Sequence, residues 1–142
     1  MSPLPHRDWT PHLLTAVDVA RRSRAGGNHP FGAIVVDAEG VVVATAANTV
    51  GTEHDLVGHA ETNVVRAVGL RYEPHELAGM TLVSSAEPCV MCAGATYWAG
   101  LGRVVYALSE TTWPPSPATT RRTSPWRCRA ARCSPAVADP SR

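Results

Sequence analysis

Two short stretches constrain this chain more tightly than any run of periodicity: His59-Ala60-Glu61, and Glu87-Pro88-Cys89-Val90-Met91-Cys92. Cys89 and Cys92 stand at i and i+3, so on a helix they share one face. In a helix's first turn they meet unpaired backbone N–H groups and the positive end of the helix dipole, which favour thiolates. His59 brings a third donor from the start of another helix. Two sulfurs and one imidazole nitrogen are a zinc-type set, and three protein ligands leave a fourth position for water, as in catalytic zinc sites. Glu61 narrows the geometry. Residues i and i+2 do not face each other inside a helix, so His59 and Glu61 serve one site only where the helix is just beginning, a start that Gly58 is placed to allow. A carboxylate beside an activated water is a general base. The competing readings are a structural zinc, a chance spacing, or a thioredoxin-like redox pair, which gives His59 and Glu61 no role.

The surrounding pattern alternates between helix and strand. Thr10-Pro11 predicts an N-cap followed by Pro at the first helical position, with Leu13, Ala16, Val17 and Ala20 as the buried stripe. Gly26-Gly27 ends that helix. Apolar runs at 31–37 and 41–47, separated by Ala38-Glu39-Gly40, predict a hairpin, followed by a loop over 51–58. Helices are predicted at 59–69, with Ala60, Val64, Ala67 and Val68 buried, and at 88–99. Strands are predicted at 80–85 and 103–108. The order α-β-β-α-β-α-β predicts an α/β fold, a sheet with helices on both faces whose later strands pair in parallel through crossovers. There is no internal repeat.

With 142 residues the chain is expected to form one domain, large enough for a core without disulfides. No window reaches the 18 or so apolar residues of a membrane span. Pro3, Pro5, Asp8 and Pro11 make a poor secretory signal, and four cysteines are too sparse for a disulfide scaffold. A cytoplasmic location is the expectation. Charge divides the chain near Glu110. Residues 1–110 hold 7 Arg against 11 acidic residues, a balance of −4, and residues 111–142 hold 6 Arg against Asp139 alone, a balance of +5. The last 32 residues contain 6 Pro, 5 Thr and 4 Ser but no Gly, Leu, Ile or Glu, a composition with too little apolar surface to offset ordering entropy. The expected organisation is a domain over 1–110 and a Pro/Arg-rich tail over 111–142 that reads as a frame-shifted or replaced C-terminus.

H-x-E followed by P-C-x-x-C resembles the signature of the cytidine deaminase-like superfamily, zinc-dependent deaminases of bases and nucleosides. Pro30-Phe31-Gly32-Ala33, Asn48, the run from Glu87 through Ala95, and Gly102-Arg103-Val104-Val105-Tyr106 make the chain similar to its guanine deaminase and tRNA adenosine deaminase branch. The similarity covers residues 10–110. It implies a three-layer sheet, one zinc held by His59, Cys89 and Cys92, and Glu61 as the proton shuttle. It also implies Asn48 and the backbone N–H of Ala60 as substrate contacts, and hydrolytic release of ammonia from an amine-bearing ring carbon. Trp98, following Tyr97, resembles an aromatic pair of guanine deaminases and is read either as a purine stack or as core packing. Phe31, at a strand start beside the cleft, has the same two readings.

His29 is read as loop structure near the site, and His6, His12, His54 and His75 mostly as surface residues. Cys128 and Cys133 are read as incidental thiols. The acidic body favours a free amino-purine, since a nucleic-acid enzyme needs a basic face for phosphates. The alternatives are tRNA adenosine-to-inosine deamination and an inactive zinc-binding or dimerisation module. A homodimer and a small-molecule base or nucleoside are the expected partners, with nucleic acid second and no membrane.

Overall fold

The computed structural model describes residues 7–109; the readings made of 111–142, His6, Cys128 and Cys133 lie outside them. The chain begins with α1 (Thr10–Ala25), followed by a hairpin of β1 (Gly32–Val36) and β2 (Val42–Ala47). Next come α2 (Val50–Glu53), α3 (Ala60–Gly69), α4 (Pro74–Leu77), β3 (Thr81–Ala86), α5 (Val90–Ala99) and β4 (Arg103–Leu108). The strands form one sheet in the order β2-β1-β3-β4.

Two apolar clusters account for the layering. Alternate β1 side chains point to opposite faces. Ile34 and Val36 join Ala16, Val19 and Val83 beneath α1. Ala33 and Val35 join Ala60, Val64, Val68, Leu77, Met80 and Leu82 beneath α3. Both faces are thus covered, which is why β1 and β3 are buried at every position. The three-layer α/β arrangement expected from the sequence is the one observed.

Several local expectations are corrected. Trp9, not Thr10, is the N-cap of α1, and the Asp8 carboxylate accepts the Thr10 N–H at 2.9 Å. The buried face of α1 is Ala16, Val19, Ala20 and Ser23, rotated from the predicted stripe. Gly32 fixes that rotation: a Cβ there would lie 2.5 Å from the Ala16 carbonyl oxygen and the Ala20 nitrogen. Only the absence of a side chain lets α1 lie so close to β1.

On α3, Val65 is buried in place of Ala67. Pro88 precedes α5 rather than opening it. The 51–58 stretch includes the end of α2. β3 and β4 pair in parallel as expected, but β3 pairs antiparallel to β1. β2 is also antiparallel to β1, so β2 and β3 run the same way on either side of it, and the connection through α3 passes over β1.

That crossover positions the site. The start of β1 and the ends of β2, β3 and β4 gather at one end of the sheet, where the Leu108 carbonyl accepts the Glu87 N–H at 2.7 Å.

Candidate active site

His59 is the N-cap of α3, with extended backbone, and Glu61 lies in the first turn. This is the helix start that the H-x-E spacing requires. Gly58, just before it, is packed so closely that a Cβ would lie 2.5 Å from Thr49 Oγ1. Cys89 is the N-cap of α5, and Cys92 is buried in that helix's first turn. The two helix starts meet. His59 Nδ1 lies 3.6 Å from Cys89 Sγ and 3.5 Å from Cys92 Sγ, and the two sulfurs are 3.5 Å apart. Among the described residues these three are the group of His, Cys, Asp and Glu that could hold a metal ion.

The triangle fits zinc. Tetrahedral bonds of ~2.3 Å to sulfur and ~2.0 Å to nitrogen place neighbouring ligand atoms roughly 3.5–3.8 Å apart. Cys92 is buried, while His59 and Cys89 are half-buried.

Electrostatics divide the two thiols. The Cys89 thiol is pulled down to about 4, chiefly by its hydrogen bond with Cys92 and then by His59, against the opposing effect of burial. Cys92 is pushed up by that same bond, by burial and by the Glu61 charge. The two sulfurs are thus electrostatically inequivalent, with Cys89 the more acidic.

Glu61 is 5% exposed. Burial raises its carboxyl pKa, opposed by a backbone hydrogen bond and by the Ser84 hydroxyl. Ser84 donates to Oε1 at 2.9 Å, while Oε2 lies 3.7 Å from Cys92 Sγ, at the donor cluster.

The other predicted residues are placed as follows. Asn48 follows β2 and is 2% exposed; its Oδ1 accepts the Val50 N–H at 3.0 Å. Ala60 is wholly buried at the start of α3. Phe31 is partly buried and packs against the α3-side core. His29 is an exposed loop residue whose carbonyl accepts the Ser23 hydroxyl at 2.7 Å. Trp98 is 86% exposed, which excludes core packing. It lies six residues, or about 9 Å of helix rise, beyond Cys92, in edge-to-face contact with Tyr97. His12 is not a simple surface residue: its Nε2 is 2.9 Å from the Gly40 carbonyl oxygen.

Sequence reasoning missed Ser84 and Asn63. The Asn63 amide donates to the Ala47 carbonyl and to Thr49 Oγ1, both at 3.0 Å, and the Thr49 N–H donates to the Gly58 carbonyl at 2.8 Å. Together they tie the segment carrying Asn48 to the one carrying His59.

The family model for the cytidine and deoxycytidylate deaminase zinc-binding region matches residues 9–108. A probable cytosine deaminase of Schizosaccharomyces pombe is 42% identical over 100 residues, covering 70% of this chain and 59% of that protein. A tRNA-specific adenosine deaminase of Buchnera aphidicola is 32% identical over 97 residues, covering 68% and 64%. The crystal structure of guanine deaminase from Bacillus subtilis superimposes with a TM-score of 0.66 at 36% identity, covering 74% of this chain and 67% of that one. The chain spans about three fifths of the length of these two curated relatives.

Proposed function

The chain belongs to the cytidine and deoxycytidylate deaminase zinc-binding family, and from that premise we propose that it is a zinc-dependent hydrolase releasing ammonia from an amino-substituted purine-like base, guanine foremost. The observation that carries this reading is the Glu61 carboxylate set against a three-donor cluster, with Oε2 3.7 Å from Cys92 Sγ. His59, Cys89 and Cys92 would hold the metal, which when bound supplies a Lewis acid able to activate water at neutral pH. Glu61 holds and moves protons, taking one from water at Oε2 and delivering it to the substrate. The water oxygen replaces the amino nitrogen on the ring carbon, the C–N bond breaks, and ammonia leaves. Asn48 and the Ala60 N–H orient the base.

A purine-like substrate is supported by the likeness to guanine deaminase and by the −4 balance of residues 1–110, which disfavours a phosphate backbone. The deaminase unit is then residues 1–110, acting in the cytoplasm as a homodimer. Exposed Tyr97, Trp98 and Val90 on α5 supply apolar surface for a second copy. The test is ammonia release by zinc-loaded protein from guanine, adenosine, cytosine and a tRNA anticodon stem-loop. Guanine turning over fastest supports the proposal. Inosine formed in the stem-loop with the free bases untouched selects tRNA adenosine deamination, and zinc bound with no turnover on any selects a binding module. Trp98→Ala separates the roles of that residue: stacking predicts roughly tenfold slower turnover, whereas an interface predicts a smaller sedimenting species.

A further inference from the structure

The two oxygens of Glu61 are held differently. Oε2 faces Cys92 and the donor cluster, while Oε1 accepts the Ser84 hydroxyl at 2.9 Å. Ser84 is 1% exposed and sits in β3, in register with Ala33 of β1 on one side and Tyr106 of β4 on the other. A strand paired on both sides is a rigid mount. A serine hydroxyl ordinarily turns to suit its partners, but this one has almost no solvent to turn to. Its oxygen also accepts the Ala86 N–H at 3.4 Å, which leaves its proton directed at Glu61. The result is a short chain of bonds, from Ala86 N–H to Ser84 to Glu61, in which each polarises the next. Glu61 itself rides on the first turn of α3 through a long side chain with several rotatable bonds, which needs an anchor to stay in one orientation.

We propose that Ser84 is a positioning residue that pins Oε1 of Glu61 and thereby commits Oε2 to proton transfer at the donor cluster. The proposal rests on reading Glu61 as the proton carrier. Deamination asks that carboxylate to take a proton in one place and release it in another. One fixed oxygen lets the other keep its aim through both steps, and small errors of aim slow reactions steeply.

Ser84→Thr and Ser84→Val occupy similar volume and differ in the hydroxyl, and Ser84→Ala removes the hydroxyl without adding bulk. With the full zinc-loaded chain and guanine as probe, Ala and Val should lower kcat about tenfold, with KM changed less than about twofold and zinc still bound. Thr should restore most of kcat. Equal kcat in Thr and Val, or a change confined to KM, would overturn the proposal. A second readout is independent of turnover: a crystal structure of metal-free Ser84→Ala should show the Glu61 carboxylate turned from its wild-type orientation or in two conformers. A single unchanged conformer would also overturn it. Wild-type protein that releases ammonia from none of the bases would defeat the deaminase reading, and the crystal structure would then decide the role of Ser84 alone.

Discussion

Glu61 shares its helix start with a metal donor without being counted among the donors; its carboxylate lies between Ser84 on one side and Cys92 on the other. Glu61→Gln keeps the shape and should keep zinc, but turnover should fall ~10²–10⁴-fold, the usual size of a lost general base. Retained wild-type turnover would remove Glu61 from the mechanism. Metal uptake should also depend on pH in a defined direction. The Cys92 thiol is raised in the metal-free cluster, so zinc must displace a proton to make the second thiolate, and affinity should weaken as pH falls. Calorimetry in buffers of different ionisation enthalpy would detect the released proton. The three donors and Glu61 stand out in the sequence because residue type and short spacing single them out. Ser84 does not. Its bond to Glu61 joins positions 23 apart and exists only once β3 has its register. Asn63 escaped notice for the same reason, since its partners are Ala47 at the end of β2 and Thr49 at the cap of α2.

Among the elements, β1 carries the heaviest packing demand, buried along its whole length between α1 and α3. Gly32→Ala should destabilise the protein by about 1–3 kcal/mol through overpacking, measurable as a lower denaturant midpoint. Asn63→Ala should act at the site instead. It frees the Ala47 carbonyl and loosens the Thr49 brace, so zinc affinity and turnover should drop more than global stability. The long elements were readable from apolar periodicity and turn residues. α2 and α4, four residues each, are too short to show a helical period. The antiparallel pairing of β1 with β3 was hidden because neighbour choice within a sheet is a tertiary outcome, with no mark in either strand. The rotated face of α1 follows from a contact with Gly32 that the helix's own sequence does not contain.

At the scale of the whole molecule, metal and fold are coupled. The donors come from the starts of α3 and α5, and a ligand bound only by the folded state stabilises it by ~4 kcal/mol at a thousandfold excess over its Kd. A chelator should therefore lower Tm in wild-type protein and leave Cys92→Ala unmoved. No helix among the described residues is long and apolar enough to cross a membrane. The arrangement of the sheet has a consequence for how such a molecule changes over time. Because α3 passes over β1, the ends of three strands running in the same direction open onto one rim, where α/β sheets usually take their ligands. His59, Glu61, Cys89 and Cys92 are anchored in helix starts, while the connecting residues 49–57 lie largely on the surface. The donor residues and Glu61 thus sit on rigid helix starts, apart from the exposed connection over 50–57. Exchanging 50–57 for the corresponding loop of another family member, with Thr49 and Gly58 kept, should leave zinc stoichiometry constant. Length and sequence in that connection can then drift over generations without disturbing the donors.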